Sequence, residues 1–205
     1  MHVKTLVLGP LSTNCYLLTS DSAPGHALII DPAFHPESIL KELEKEELVL
    51  DAILLTHCHF DHMWALDELA ENTGALLLCP EKDKKGLTDP KQNASSLFFR
   101  TPLSIKTTPA RLLKDSDQIL LGNEKLTVLE TPGHTAGSVC YKTEDLLFSG
   151  DTLFQNGSGR TDLPSGDGKA MERSLRCLLA FDDLTVYPGH GKATSIGKEK
   201  AFFEI

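Results

Sequence analysis

The sequence predicts an α/β fold in which two mixed β-sheets pack face to face with helices outside, a four-layer αβ/βα sandwich. The first observation is that short apolar strand-like segments and amphipathic helical segments follow one another in each half of the chain. The second is size and composition, because 205 residues with 40% hydrophobic and 24% charged side chains are ordinary for a globular domain. We therefore expect a single domain, 1–205, with a substantial core.

Strand-like segments dominate the beginning of the chain. Three apolar runs bounded by Gly, Pro or Asp predict a small meander, at 5–8, 15–19 and 27–30. Pro36 opens the segment 38–48, where apolar residues follow helical spacing and Lys and Glu fill the other face, which predicts a surface helix. The continuous apolar run 52–55 is typical of a strand buried on both faces, and 64–72 returns to helical periodicity before Gly74.

The middle segment, 81–114, is polar, irregular and interrupted by prolines, around an apolar patch at 97–99. We expect this segment to be a lid that partly covers the functional site. An amphipathic helix is predicted over 170–181. Strand signals that predict the second sheet occupy 118–121, 125–129, 138–142, 146–148 and 184–187.

Charge and cysteine usage exclude several classes of protein. The net charge of -9 repels phosphate backbones, so nucleic acid is not an expected partner. Five scattered cysteines without a CxxC pair outline neither a disulfide framework nor a cysteine metal site, which predicts a reducing, cytoplasmic location. The apolar runs fall far below the ~20 residues that span a bilayer, so no membrane segment is expected. The sequence leaves the oligomeric state open.

Four potential metal ligands occupy six positions directly after the predicted buried strand: His57, His59, Asp61 and His62. Three further strand-end segments each finish in a turn residue and then a ligand type, at His134, Asp151 and His190. One histidine after a strand would be ordinary, but imidazoles and carboxylates in this number are the ligand set of zinc, iron and manganese. Closed structural sites usually use four ligands, often cysteine, so seven ligands predict two ions with open positions and a catalytic role.

With these motifs the chain resembles the metallo-β-lactamase superfamily, which has an HxHxDH loop and a separate later His, Asp and His. The resemblance implies that His57, His59 and His134 hold a first metal ion. It implies likewise that Asp61, His62 and His190 hold a second ion and that Asp151 bridges the two. Asp31, at the end of an early strand, matches an aspartate that supports the metal loop, and a simple strand-end turn is its alternative role.

Within that superfamily the chain looks like the glyoxalase II group of small hydrolases. Three segments carry this resemblance: Gly9-Pro10-Leu11 with Thr13-Asn14-Cys15-Tyr16, Thr131-Pro132-Gly133-His134-Thr135, and Gly159-Arg160-Thr161-Asp162. Trp64 and Ala65 depart from the family, which commonly has glycine after the histidine loop. Only Gly191–Ile205 follow the last histidine, whereas true hydroxyacylglutathione hydrolases carry a further helical region, so we expect little preference for glutathione.

Other residues have two interpretations each. Alternation along the loop points Cys58 away from the ligands, which favours a buried inert thiol over a ligand. Arg160 could clamp a substrate carboxylate or pair with Asp162. The remaining histidines sit at the terminus or beside turn residues and are expected to be solvated: His2, His26 and His35.

The expected function is hydrolysis of small thioesters or esters by two divalent metal ions. Zinc is the first expectation for the metal, with iron and manganese as alternatives. A water shared by the metals would ionise near pH ~7 and attack a carbonyl carbon, while Asp61 orients it. The runner-up is a persulfide dioxygenase with one iron held by His57, His134 and Asp151, and a phosphodiester nuclease is a further alternative.

Overall fold

Two six-stranded β-sheets form the interior of the protein in the computed structural model, which describes residues 1–203. The sheets pack face to face and helices cover their outer faces. This architecture confirms the predicted αβ/βα sandwich.

The first sheet has the strand order β1 to β6, so each strand lies beside its neighbours in the sequence. The first three strands form an antiparallel meander, as predicted, and the last four run parallel. The six strands are His2–Leu8 (β1), Thr13–Ser20 (β2), Ala23–Ile30 (β3), Val49–Leu54 (β4), Leu76–Pro80 (β5) and Arg111–Leu113 (β6).

The second sheet and a small hairpin come from the second half of the chain. The hairpin pairs Leu153–Phe154 (β11) with Gly157–Ser158 (β12). In the sheet, neighbouring strands are antiparallel except for β10 and β13, which are parallel. Its strands are Gln118–Leu121 (β7), Glu124–Glu130 (β8), Val139–Lys142 (β9), Leu146–Gly150 (β10), Thr185–Pro188 (β13) and Thr194–Ser195 (β14).

Five α-helices accompany the sheets within the described residues. They are Pro36–Lys45 (α1), Phe60–Met63 (α2), Leu66–Thr73 (α3), Gly168–Leu179 (α4) and Ile196–Phe202 (α5). Asp167 caps α4 by accepting hydrogen bonds from two backbone N–H groups of its first turn. Two 3₁₀ segments, Glu81–Leu87 and Ser95–Leu97, lie in the middle of the chain. Nowhere in residues 1–203 is a helix both long and apolar enough to cross a membrane.

The apolar layers follow from the two-residue period of the strands. In β2, Leu17 faces the helices α1 and α3, while Tyr16 and Leu18 face the second sheet. Residues of both sheets meet in that central layer, where Phe148 and Tyr141 are fully buried. A third apolar layer joins the outer face of the second sheet to α4 and α5. The predicted inward leucines of α4 all belong to it: Leu175, Leu178 and Leu179.

The structure differs from the predicted elements in several regions. The predicted helix 64–72 corresponds to α3, Leu66–Thr73, and a short helix that was not predicted, α2, precedes it. The two helices are separate where the backbone N–H of Ala65 donates to the carbonyls of Pro32 and Ala33. The segment 81–114 is not wholly irregular, since it ends in β6, which pairs with β5. Both strands were missing from the prediction, as were β14 and α5 near the carboxyl end.

Tyr141 connects the central layer to the carboxyl end of β4. Its hydroxyl, fully buried, donates to the backbone carbonyl of Leu55, two residues before His57. The connection fixes the point at which the chain leaves the first sheet and enters the histidine loop.

We expect Tyr141→Phe to lower the free energy of unfolding by about 1–3 kcal/mol, because the Leu55 carbonyl would be left buried without its donor. Urea denaturation measures the change. Tyr187→Phe is the matched control, since the Tyr187 hydroxyl makes no hydrogen bond within residues 1–203. Equal stability of the parent and Tyr141→Phe would show that this bond contributes nothing.

Candidate metal centre

Loops at one edge of the two sheets carry the seven predicted ligands. Four of them lie between the end of β4 and the end of α2, namely His57, His59, Asp61 and His62. The others follow β8, β10 and β13, in the order His134, Asp151 and His190. The structure brings all seven side chains together, and we call them the His/Asp cluster.

The cluster contains three groups of side chains, and within each group the ligand atoms lie within 4.8 Å of one another. The groups are His57, His59 and His134; His57, His62 and Asp151; and Asp61, His62 and His190. In the first group, Nδ1 of His59 lies 3.1 Å from Nε2 of His57 and 2.8 Å from Nε2 of His134. In the last group, Oδ2 of Asp61 lies 3.5 Å from Nε2 of His62 and 3.3 Å from Nε2 of His190.

The Asp151 carboxylate lies between these groups. Its Oδ1 is 3.4 Å from Nε2 of His62, and its Oδ2 is 3.4 Å from Nε2 of His134. Gly189 makes room for it, because a Cβ at that position would lie 2.1 Å from Oδ1 of Asp151. The Pro188-Gly189-His190 turn therefore requires glycine for the approach of the carboxylate, which explains the turn residue that precedes this ligand.

Four of the five histidines in the cluster are oriented in the same way. Each uses Nδ1 to donate to an oxygen: His57 to the Thr56 hydroxyl, His62 to Asp31, His134 to the carbonyl of Arg160 and His190 to the carbonyl of Leu11. An imidazole whose Nδ1 carries the proton presents Nε2 as a lone pair, which is the form that ligates metals. His59 is the exception, since its Nδ1 faces the cluster.

Metal ions fit this cluster because some of its buried polar atoms have no other partner. Within residues 1–203, Nε2 of His62 and Oδ1 of Asp151 are buried without a hydrogen bond, and Nε2 of His59 is the third such atom. Buried polar atoms are normally paired, because an unpaired one costs about 1–3 kcal/mol. A nitrogen lone pair and a carboxylate oxygen 3.4 Å apart could both be satisfied by one cation.

The pKa shifts indicate that the cluster favours a positive charge near its carboxylates. Burial, helped by the neighbouring histidines, lowers the pKa of His57 well below its usual value, and burial lowers the pKa of His59 to about 3. Burial also opposes a charge on His62, but the carboxylates of Asp61, Asp151 and Asp31 outweigh it and raise the pKa of His62 well above its usual value. Positive charge is therefore favoured among the carboxylates. A metal cation meets that demand in place of a proton.

Asp31 performs both of the roles that the sequence left open. It ends β3 with a left-handed backbone, φ 53, and it also supports the metal loop. Its carboxylate accepts hydrogen bonds from the backbone N–H and hydroxyl of Thr56, both at 2.7 Å, and from Nδ1 of His62 at 2.9 Å. It thereby fixes the ring of His62 and, through the Thr56 hydroxyl, the ring of His57.

Asp83 is a supporting residue that the sequence analysis missed. Its buried carboxylate accepts hydrogen bonds from the backbone N–H of Cys58, the hydroxyl of Thr135 and the backbone N–H of Gly137, each at 2.9 Å. Cys58 lies between two cluster histidines and Thr135 follows His134, so one carboxylate ties both histidine loops together. The available signal was its position just after the apolar run of β5, the same strand-end position that the ligands share.

The remaining residues singled out from the sequence lie as follows. Arg160 forms a bidentate ion pair with Asp162, at 2.6 and 2.7 Å, which is the second of its two predicted roles. Cys58 is buried, with its Sγ 3.6 Å from Sγ of Cys79. The other histidines are exposed and paired with acidic neighbours: His2 with Asp21, His26 with Asp51 and His35 with Glu37.

An open pocket of about 500 Å³ adjoins the His/Asp cluster. Ala94 and Phe98, from the predicted lid segment, lie along its border, and Arg160 lies on another side. A pocket of this size holds a small organic molecule next to the ligand atoms.

Comparison with known proteins finds a family match over most of the chain. Residues 8–190 match the metallo-beta-lactamase superfamily. The chain is 35% identical to the "Probable metallo-hydrolase YqgX" of Bacillus subtilis, over 98% of this chain and 95% of the relative. It is 34% identical, over the same shares of the two chains, to the "Hydroxyacylglutathione hydrolase GloC" of Haemophilus influenzae.

Solved structures agree with this family. The BLEG-1 B3 metallo-beta-lactamase superposes with a TM-score of 0.91 and 37% identity, covering 98% of this chain and 97% of that one. TTHA1623, solved in a di-iron-bound form, gives a TM-score of 0.85 and 34% identity over 96% of both chains. ETHE1 from Myxococcus xanthus gives a TM-score of 0.77 and 30% identity, covering 98% of this chain and 82% of that one.

We expect Asp83→Asn to weaken metal binding by about 10- to 100-fold, because an amide N–H₂ would face a backbone N–H and loosen the two histidine loops. Competition with a chromogenic chelator measures the affinity, and the visible spectrum of the cobalt-loaded protein reports the ligand geometry.

Asp67→Asn is the matched control for this change. Asp67 also accepts hydrogen bonds from two backbone N–H groups and one hydroxyl, but these belong to Lys106 and Thr107, outside the cluster. Equal metal affinity and equal cobalt spectra for the two variants would show that Asp83 has no special role in positioning the ligands.

Proposed function

The chain belongs to the metallo-beta-lactamase superfamily, and on that premise we propose that it hydrolyses small thioesters or esters with two divalent metal ions. The observation that carries the proposal is the position of the Asp151 carboxylate between two groups of ligand atoms, His57/His59/His134 and Asp61/His62/His190. Such a carboxylate is suited to bridging two ions. Zinc is our first choice for the metal, with iron or manganese as alternatives.

When bound, the two ions supply a hydroxide at neutral pH and polarise the carbonyl oxygen of the substrate. The protein's own residues position the reaction. Asp61 is held by the Thr13 hydroxyl, which donates to Oδ2 at 2.9 Å, and lines the pocket, so it is placed to orient the attacking water. Burial opposes the charge of Asp61, but neighbouring His62 and His190 keep its pKa well below the usual range, so it accepts hydrogen bonds at neutral pH.

Thioesters suit this site because of their leaving group. The water oxygen bonds to the carbonyl carbon, the carbon–sulfur bond breaks, and the products are a carboxylic acid and a thiol. A thiolate with a parent pKa near ~8.5 departs without a strong acid, whereas an amide nitrogen must first be protonated. Thioester hydrolysis therefore does not require a side chain that protonates the leaving group, whereas amide hydrolysis does.

The relatives support the hydrolase proposal and revise one expectation. GloC is named a hydroxyacylglutathione hydrolase, and this chain spans 95% of its length. The short segment after His190 is therefore no argument against glutathione thioesters, which belong in any substrate panel. A β-lactam belongs there as well, because BLEG-1 is named a B3 metallo-beta-lactamase.

A mononuclear-iron persulfide dioxygenase is the alternative that specific observations favour. His134 and Asp151 approach each other at 3.4 Å and the ring of His57 packs against His134, so the three side chains of an iron triad are adjacent. The likeness to ETHE1 supports this alternative, and the di-iron form of TTHA1623 supports iron in a cluster of this kind. A phosphodiester nuclease is less favoured because of the net charge of -9.

We expect Asp61→Ala and His190→Ala to reduce thioester hydrolysis by at least ~100-fold, because each removes a ligand of the second group and an electrostatic stabiliser with it. His134→Ala should be equally severe. Metal content, hydrolysis of a thioester panel and persulfide-dependent oxygen uptake are measured on each variant. His26→Ala is the control, since His26 is half exposed and pairs with Asp51.

The dioxygenase alternative predicts a different pattern, because its iron needs only His57, His134 and Asp151. Parent protein that consumes oxygen with a persulfide but splits no thioester, with Asp61→Ala still active, would falsify the hydrolase proposal.

A further inference from the structure

Much of the lining of the pocket beside the His/Asp cluster is apolar. Six apolar residues from five separate segments contribute to it, and we call them the apolar wall: Leu11, Phe60, Ala94, Phe98, Phe154 and Leu163. The wall and the ligand atoms face the same space of about 500 Å³. Any molecule with its reacting group at the cluster therefore has its remaining atoms against this wall.

Two members of the wall remain exposed to solvent although they are large and apolar. Phe98 is 56% exposed and Leu11 is 45% exposed. Single exposed apolar residues are ordinary, but two that border one pocket next to a reactive cluster indicate a surface that a ligand covers.

A series of aromatic contacts holds Phe98 in place. Its ring lies 5.2 Å from that of Phe60, which lies 5.3 Å from Phe99. Phe99 in turn lies 4.7 Å from Trp64, which stacks on Phe34 at 4.8 Å. Aromatic pairs of this kind contribute beyond the area they bury, and they present Phe98 as a fixed surface.

Two other residues of the wall contact a cluster ligand. The carbonyl of Leu11 accepts a hydrogen bond from Nδ1 of His190 at 3.1 Å, and the ring of Phe154 meets the edge of His190 at 6.1 Å. The apolar side chains thus have a set position relative to the reacting centre.

Charge argues against a strongly anionic substrate in this pocket. Among the described residues that line it, Arg160 is the one lysine or arginine, and its guanidinium is already paired with Asp162. Apart from the metal ions, a substrate with several carboxylates would find no unpaired lysine or arginine among these lining residues.

From this combination we propose that the apolar wall binds an uncharged alkyl or aryl group of the substrate, so that the preferred substrates are apolar thioesters. The inference rests on the proposed thioester hydrolysis and adds its substrate class. The apolar group belongs either to the acyl part or to the thiol part, since both adjoin the reacting carbonyl.

The first test is a series of neutral thioesters on the metal-loaded protein. One set lengthens the acyl chain from acetyl to hexanoyl on a small neutral thiol, and the other lengthens the thiol chain on an acetyl group. We expect kcat/KM to rise about threefold for each methylene that leaves water, in one of the two sets. S-lactoylglutathione and a β-lactam complete the panel. A flat response in both sets, or a preference for S-lactoylglutathione over the hexanoyl thioester, overturns the inference.

Substitutions test whether the apolar wall causes the dependence of kcat/KM on chain length. Phe98→Ala should lower about 10-fold the ratio of kcat/KM for the longest thioester of the responsive set to kcat/KM for the shortest one. Leu97→Ala and Phe202→Ala are matched controls, because these side chains are 63% and 51% exposed and lie outside the pocket lining. Equal losses with Leu97→Ala would overturn the role of Phe98.

A binding measurement separates this inference from the proposed function. Trp64 is the single tryptophan of the chain and touches the aromatic support of the wall, so its fluorescence reports on ligands there. Calorimetry and fluorescence compare hexanoate with acetate and hexanethiol with ethanethiol on the metal-loaded protein. In one of the two pairs the longer ligand should bind at least about 10-fold more tightly, with the difference lost in Phe98→Ala. Absence of thioester hydrolysis with this preference intact refutes the proposed function alone. Equal binding within both pairs of ligands refutes the apolar wall.

Discussion

The burial of several ionisable side chains around a small space is the constraint on which the rest of the structure depends. Asp61, Asp151 and His62 are almost completely removed from solvent, and the neighbouring carboxylates raise the pKa of His62 although burial opposes this. Burying charges of this kind destabilises the folded state unless a countercharge and hydrogen bonds compensate for the lost hydration. The unpaired nitrogen of His62 and the unpaired oxygen of Asp151 indicate that the protein alone does not complete the compensation.

The surrounding protein is organised to keep this arrangement in place. Two buried aspartates act from opposite sides. Asp31 fixes Thr56 and His62, and Asp83 ties the loop around Cys58 to the loop after His134. Both aspartates follow strands of the first sheet. The parallel strands β3 and β5 flank β4, so the supporting aspartates lie on either side of the loop that carries the first four ligands. Backbone carbonyls orient His134 and His190, so the ligand geometry depends on several loops along the sheet edge.

The fold and the cluster were largely predictable from the sequence, because apolar runs and ligand types at strand ends are local signals. The strand β5 was missed since a short continuous apolar run does not distinguish strand from helix, and β6 has only the three residues Arg111–Leu113, held by pairing with β5. The break between α2 and α3 depends on hydrogen bonds from Ala65 to distant carbonyls. Asp83 escaped notice for the same reason, because its three donors come from loops far away in the sequence.

The central claim is that the seven side chains of the His/Asp cluster bind two metal ions, with Asp151 between them. Anomalous diffraction at the metal edge of the metal-loaded protein, combined with elemental analysis, tests it most directly. The account predicts two anomalous peaks per chain, one beside His57, His59 and His134 and the other beside Asp61, His62 and His190, with the Asp151 carboxylate in contact with both. One peak after saturation with zinc, iron and manganese in turn, or peaks away from these residues, would contradict it.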